Sequence, residues 1–243
     1  MSNNNKVAVI TGASSGIGEA IAKKLSEENY TVVLASRSVN KLQKIQKDLP
    51  GESMVVELDV SSTESVSKAF NEVVDEYEVI DVLVNSAGIM PLTYLKNRHL
   101  DEWLNTIEVN VKGVLRCIYS ALPYMENQNG GNIVNIASVD GKEIFAGGAV
   151  YGASKAAIIE LSKAMRMELS PEYNIRVTAI EPGTVETKLR NDITDEELLN
   201  DKDYGGDEPK LKPENIADAV FYALSQPASV NVNELLVKPT GKS

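Results

Sequence analysis

The 243-residue chain has one cysteine, one histidine and one tryptophan, and no apolar run that approaches the length of a membrane span. Cys117 alone excludes an intrachain disulfide. His99 alone removes any multi-histidine metal site, so no metal is expected, and it leaves a Ser-His-Asp triad a single candidate base. Positive charge is also scarce. Lys and Arg number 24 against 35 Asp and Glu, a net charge of -11 with no local basic patch, which argues against nucleic acid or an anionic membrane as partner. Residues 1–7 are polar and lack the basic-then-apolar pattern of a secretory signal. With 43% hydrophobic residues to build a core, the expectation is a soluble cytoplasmic protein.

What is present is a rhythm. Short β-branched runs at 6–10, 31–35, 54–58, 82–84, 132–136 and 176–180, with a final one at 234–237, alternate with amphipathic stretches at 18–28, 40–48, 64–77, 100–125, 151–168 and 213–225. Ile21, Ala22 and Leu25 take core-facing spacing in the first helix, Leu42 and Ile45 in the second, which Pro50-Gly51 ends. Such alternation predicts an α/β fold, a doubly wound parallel sheet of six to seven strands with helices on both faces. The length suits a single α/β domain over 1–243. One segment breaks the pattern: residues 183–212 hold nine acids against five bases and include Gly205-Gly206, which predicts a substrate lid at about 184–212.

Between the first strand and first helix lies Thr11-Gly12-Ala13-Ser14-Ser15-Gly16-Ile17-Gly18. A strand that delivers the chain to a helix N-terminus presents free N–H groups, and such a turn attracts a pyrophosphate. Gly12 permits the sharp turn, Gly16 lets backbone approach phosphate, and Gly18 lets the helix pack on the strand; Ser14 and Ser15 add hydroxyl donors. The fold is therefore expected to be of the Rossmann type. At the end of the second strand, where an NAD-preferring site carries Asp or Glu, the chain reads Ser36-Arg37. A hydroxyl beside a guanidinium suits a 2′-phosphate, so NADP(H) is the expected cofactor, with Lys41 or Lys44 able to share the role and a solvated surface charge as the other reading of Arg37.

Tyr151 and Lys155 stand four residues apart at the start of a helix and so share one face. A close ammonium is expected to lower the phenol pKa from its usual value of about 10. Taken alone, such a pair is ordinarily an exposed helical contact. Ser138 changes this, because it ends the strand at 132–136, on the carboxyl edge where open α/β sheets bind ligands.

With these residues in place the chain resembles the short-chain dehydrogenase/reductase family, in its main single-domain subgroup, from Lys6 to about Pro239. The motifs occur in order: Thr11 to Gly18, Asp59, Asn85-Ser86-Ala87-Gly88, Asn110, Ser138, Tyr151, Lys155 and Pro182-Gly183. Ser86 departs from the family, which usually carries Asn or Ala there. The resemblance implies an oxidoreductase that interconverts a carbonyl compound and its secondary alcohol by hydride transfer. Tyr151 would be the acid and base, Ser138 would bind the substrate oxygen, Lys155 would hold the nicotinamide ribose, and Asn110 would hold a water linking Lys155 to solvent. Thr11 and Asn85 would fix neighbouring strands, with Asn85, Ala87 and Gly88 beside the cofactor. Asp59 and Val60 would border the adenine, and Pro182, Gly183, Val185 and Thr187 would flank the nicotinamide. A helix kink or a polar core residue is the alternative for Asn110.

The resemblance also implies a homodimer or homotetramer through the two long helices, where Ala153, Ala156 and Ala157 would permit close approach. His99 reads as a surface or capping residue, Cys117 as packing in a core or interface, and Trp103 as core. Met90, Leu92, Ile144, Phe145 and Val185 predict a largely apolar pocket for a small molecule, with Asp140 and Glu143 as candidate polar anchors. The closing segment 231–240 resembles the tail of family members that act on 3-hydroxy acids, such as serine dehydrogenases. Two rivals remain: a catalytically silent nucleotide-sensing protein of the same fold, and another user of this fold such as a methyltransferase, which needs neither Tyr151 nor Lys155.

Overall fold

Alternation along each strand decides which way its side chains point. In β1 (Val7–Thr11), Val7 and Val9 enter one buried cluster while Ala8 and Ile10 enter another, the period-two pattern of a strand covered on both faces. β2 (Thr31–Ser36) repeats it, with Val33 and Ala35 opposite Val32 and Leu34. The computed structural model describes residues 5–201 and 209–241. Within them β1 and β2 join β3 (Ser53–Glu57), β4 (Val82–Asn85), β5 (Gly131–Ile136), β6 (Ile175–Pro182) and β7 (Glu234–Val237) in one seven-stranded sheet of order β3-β2-β1-β4-β5-β6-β7, every pair parallel.

Helices cover both faces. α1 (Gly16–Glu27), α2 (Val39–Lys47) and α8 (Pro213–Ser225) bury Ile21, Leu42 and Val220 on one side. α3 (Thr63–Tyr77), α5 (Gly113–Asn127) and α6 (Ala149–Tyr173) bury Phe70, Cys117 and Ile158 on the other. The chain winds outward from β1 to β3, then crosses back to lay β4 on the other side of β1. The carboxyl ends of β1 and β4 therefore diverge into a crevice, where open sheets of this kind take their ligands. Thr11 pins its floor: its hydroxyl accepts from the N–H groups of Ser86 and Ala87, both at 3.1 Å. Asn85 donates to Asn135 at 2.8 Å, and Asn135 to Ser162 at 2.9 Å, tying β4 through β5 to α6.

The expected helix at 100–125 is instead α4 (Leu100–Ile107), a π-helical turn (Glu108–Lys112) and α5 in succession. The wider turn falls at Asn110, whose side chain leaves the helix to bond a neighbouring loop; π-turns of this kind concentrate at functional positions. Trp103 is half-buried rather than core. Its helix packs on α6 and the loop after β4 instead of on the sheet, and its indole N–H donates to Thr93 at 2.6 Å. His99 occupies the N-cap position of α4 without a capping bond from its side chain, and Cys117 is fully buried.

The segment after β6 has its own structure. Leu211 N–H donates to Thr184 and Glu186 N–H donates to Leu211, both at 2.8 Å, which closes the base of the loop. Beyond the base come a 3-10 turn (Lys188–Asp192) and α7 (Glu196–Leu199), capped by the Asp195 carboxylate, which accepts from the N–H groups of Glu197 and Leu198. The same carboxylate accepts from Tyr94 N–H at 2.9 Å and Asn97 Nδ2 at 3.0 Å, so this segment is fastened to the loop after β4. The predicted lid at 184–212 is described apart from 202–208; Gly205-Gly206 lies outside the described residues. No helix among the described residues is long and apolar enough to cross a membrane.

Candidate active site

A cleft of about 1390 Å³ opens along the carboxyl edge of the sheet, larger than a single drug-sized ligand requires. One end is the glycine turn. Gly12 has φ +68°, and a Cβ there would lie 2.8 Å from the Ala87 backbone; Gly18 admits no Cβ either, because the Gly12 carbonyl oxygen would be 2.5 Å away. These close approaches shape a concave turn whose residues Ser14 to Gly18 line the cleft at the α1 N-terminus, a position suited to an anion. Ser36 and Arg37 line the same end, with Lys23 and Lys41. Asp59 faces them, its carboxyl held below the usual range by the Ser61 hydroxyl and N–H, aided by the Arg37 and Arg116 guanidinium groups.

The other end holds the reactive groups. Ser138 leaves β5 at its carboxyl edge and caps a 3-10 turn (Val139–Gly141), its Oγ accepting from Asp140 N–H at 3.1 Å. Tyr151 and Lys155 project from the first turns of α6; both are buried, and the ammonium sits 5.7 Å from the phenol ring centre. Lys155 donates to the Ile136 carbonyl at 2.9 Å. Burial pulls its pKa down to about 8, against the opposing pull of the Asp140 carboxylate. The phenol moves the other way from the expected lowering: burial holds Tyr151 above the ordinary phenol value, the Asp140 charge adds to this, and the Ser138 hydroxyl works against it. Tyr151 is therefore a protonated acid throughout the neutral range.

Asn110 lies behind this wall. Its Oδ1 accepts from Ile89 N–H at 2.9 Å, and its Nδ2 donates to Ile89 carbonyl at 2.9 Å and to Ser154 Oγ at 3.1 Å. Ser154 in turn donates to the Tyr151 carbonyl at 2.6 Å. Nothing in the reading of the sequence singled out Ser154, although it stands three residues after Tyr151 and thus on the same helical face.

Of the residues named from sequence, the cleft gathers Gly12, Ser14, Ser15, Gly16, Ile17, Gly18, Ser36, Arg37, Asp59, Val60, Ala87, Gly88, Ser138, Tyr151, Lys155, Pro182, Gly183, Val185 and Thr187. Asn85 and Asn110 are buried outside it. Met90, Leu92, Tyr151, Ile193 and Leu198 form a small apolar cluster over the reactive end, with Phe145 packed against it. Ile144 also lines the cleft but is 92% exposed, at its rim. The two candidate anchors part ways: Glu143 is ion-paired with Lys238, whereas Asp140 adjoins Ser138. Arg190, also missed in the sequence, lines the cleft from the segment after β6.

The family model described as short chain dehydrogenase matches residues 6–198. An uncharacterized oxidoreductase of Staphylococcus epidermidis is 42% identical over 234 residues, 96% of this chain and 97% of that protein. Among solved structures, the closed form of a serine dehydrogenase complexed with NADP+ superposes with TM-score 0.90 at 31% identity, covering 98% of this chain and 96% of that one. An alcohol dehydrogenase from the archaeon Thermococcus sibiricus complexed with 5-hydroxy-NADP gives 0.87 at 32% identity, with 99% of both chains covered.

Proposed function

Because the chain belongs to the short-chain dehydrogenase family, oxidoreductases acting on CH–OH and C=O groups, we propose that it interconverts a carbonyl compound and its secondary alcohol with NADP(H), Tyr151 acting as acid and base. The observation that carries this reading is the meeting of Ser138, Tyr151 and Lys155 in one cleft with the glycine turn. The cradle fits a dinucleotide phosphate: Gly12 and Gly18 leave no room for a Cβ, and the turn residues line the cleft at a helix N-terminus. Ser14, Ser15 and Gly16 would hold the pyrophosphate, Ser36 and Arg37 the 2′-phosphate, Asp59 and Val60 the adenine side, and Lys155 the nicotinamide ribose. Ala87, Gly88, Pro182, Gly183, Val185 and Thr187 would border the rest. The NADP complexes of the serine and alcohol dehydrogenases support this choice of nucleotide.

When bound, the reduced cofactor supplies a hydride to the carbonyl carbon. The protein supplies the proton and the environment. Tyr151 gives its phenolic proton to the carbonyl oxygen, and Ser138 Oγ–H donates to the same oxygen as charge develops there, which is where fixed donors act most strongly. Burial holds the Tyr151 proton in place until the carbonyl oxygen takes it. Lys155, charged at neutral pH and buried nearby, stabilises the phenolate left behind. Asn110 and Ser154 hold the turn of α6 that carries Tyr151. The segment after β6 acts as the substrate lid over this chamber. A homodimer or homotetramer belongs to the same proposal, supported by Leu115 and Tyr119, which α5 leaves exposed, and by the exposed Ala153 and Ala157 of α6.

The test is NADPH consumption against a carbonyl panel by the wild type and Tyr151→Phe, with NADPH binding followed by fluorescence. Turnover should vanish in the variant while binding persists. Retained turnover would remove Tyr151 from its role; binding without turnover in the wild type would favour a silent nucleotide-binding protein.

A further inference from the structure

We propose that Asp140 is a specificity-determining carboxylate that receives a hydrogen-bond-donating substituent, above all an ammonium, next to the reacting carbon and turns away substrates with an anion there. The inference rests on the proposed function and names its substrate class: amino or hydroxy ketones and the matching amino alcohols or diols.

Three observations support it. The first is place. Asp140 follows Ser138 by two residues, its N–H is held by Ser138 Oγ at 3.1 Å, and it lines the cleft beside Ser138. The second is rigidity. The Asp140 carbonyl lies where a Cβ on Gly152 would come within 2.8 Å, so the turn presses on α6 directly after Tyr151. On the far side of the turn Lys142 is staked to Glu181 of β6 at 2.9 Å and Glu234 of β7 at 2.7 Å. The backbone that carries Asp140 is thus held against α6 on one side and anchored through Lys142 to the sheet on the other.

The third is charge. Two neighbouring acids have cations in contact, Glu143 with Lys238 and Glu181 with Lys142. Among the described residues Asp140 forms no such ion pair; the Ser138 hydroxyl, Arg190 and Lys155 favour its charged form, and the Glu143 charge opposes them. Burial raises its pKa, the mark of a carboxylate whose desolvation is only partly compensated. A substrate ammonium or hydroxyl beside the carbonyl supplies the missing donor through a charge-assisted bond. A carboxylate in that position would set two anions together in a half-buried site, and repulsion of this kind is how sites discriminate.

The experiment uses matched ketones bearing an ammonium, a methyl or a carboxylate next to the carbonyl, with kcat/KM measured using NADPH for wild type, Asp140→Asn and Asp140→Glu. The matching alcohols are titrated calorimetrically into the NADP-loaded protein. NADPH affinity of each variant reports folding. The quantity read is the ratio of charged to neutral substrate within each protein, so a general loss of activity cancels. The wild type should favour ammonium over methyl by about tenfold or more, Asp140→Asn should erase that ratio and improve the carboxylate compound, and Asp140→Glu should keep part of it. Equal ratios in wild type and Asp140→Asn, or a wild-type preference for the carboxylate, overturn the proposal. Should the protein bind NADPH yet reduce no ketone, the proposed function fails by itself, and the alcohol binding ratios still decide the role of Asp140.

Discussion

Lys155→Met should make the protein more stable while abolishing its turnover. Lys155 is 7% exposed and its ionisation falls from 10.5 to about 8 on folding, burial being the cause and Asp140 opposing it. Below pH 8 both folded and unfolded chains carry the proton, so the full penalty for the buried charge, on the order of 3 kcal/mol, weighs on the folded state. Between 8 and 10.5 the folded protein releases the proton first, and wild-type stability rises with pH. Methionine keeps the apolar stem and removes the charge; it also leaves the Ile136 carbonyl without its donor and takes from Asp140 one of the two cations acting on it, which takes back about 1–2 kcal/mol. The expected net gain in urea denaturation at pH 7 is on the order of 1–2 kcal/mol. Because only the lysine titrates differently, that gain should shrink by about 1.4 kcal/mol for each pH unit above 8. A difference between the two proteins that is the same at pH 7 and pH 9.5, or that grows with pH, would refute the reasoning.

Three other perturbations probe separate parts. Gly18→Ala places a Cβ 2.5 Å from the Gly12 carbonyl oxygen, so a backbone shift costing roughly 1–3 kcal/mol should appear in thermal denaturation together with weakened NADPH binding. Arg37→Asp should move the ratio of NADP to NAD efficiency toward NAD, and an unchanged ratio would place the 2′-phosphate elsewhere. Asp195→Ala removes the cap of α7 and its bonds to Tyr94 and Asn97. Amide exchange over 193–199 should then accelerate about tenfold or more, with KM for substrate rising more than the dissociation constant for NADPH.

The sheet was legible because its information is local: Val7, Ala8, Val9 and Ile10 already alternate between two cores, and the glycine turn announces itself in eight consecutive residues. What escaped depends on partners distant in sequence. Asp195 sits in an acid-rich stretch that reads as solvated, yet it is 2% exposed because Tyr94, 101 residues earlier, donates to it. Glu143 and Asp140 look equivalent until Lys238 claims one of them. The π-turn at Glu108–Lys112 has no periodic signature, since one extra residue per turn changes hydrogen bonding before it changes hydrophobic spacing. Trp103 reads as core in the sequence but is half-buried, because its helix packs on α6 and the loop after β4 rather than on the sheet.

The paired backbones of Val185 and Leu211 also bear on how this architecture diversifies. With both feet of the excursion clasped together, the described residues between them are held at a second place, where Asp195 meets Tyr94 and Asn97. Doubling its length adds only about 0.6 kcal/mol of closure entropy, and the clasp stands between an insertion and Pro182 and Gly183. Descendants of such a chain can rewrite the roof over the chamber between these two anchor points while the glycine turn at the other end of the cleft stays fixed.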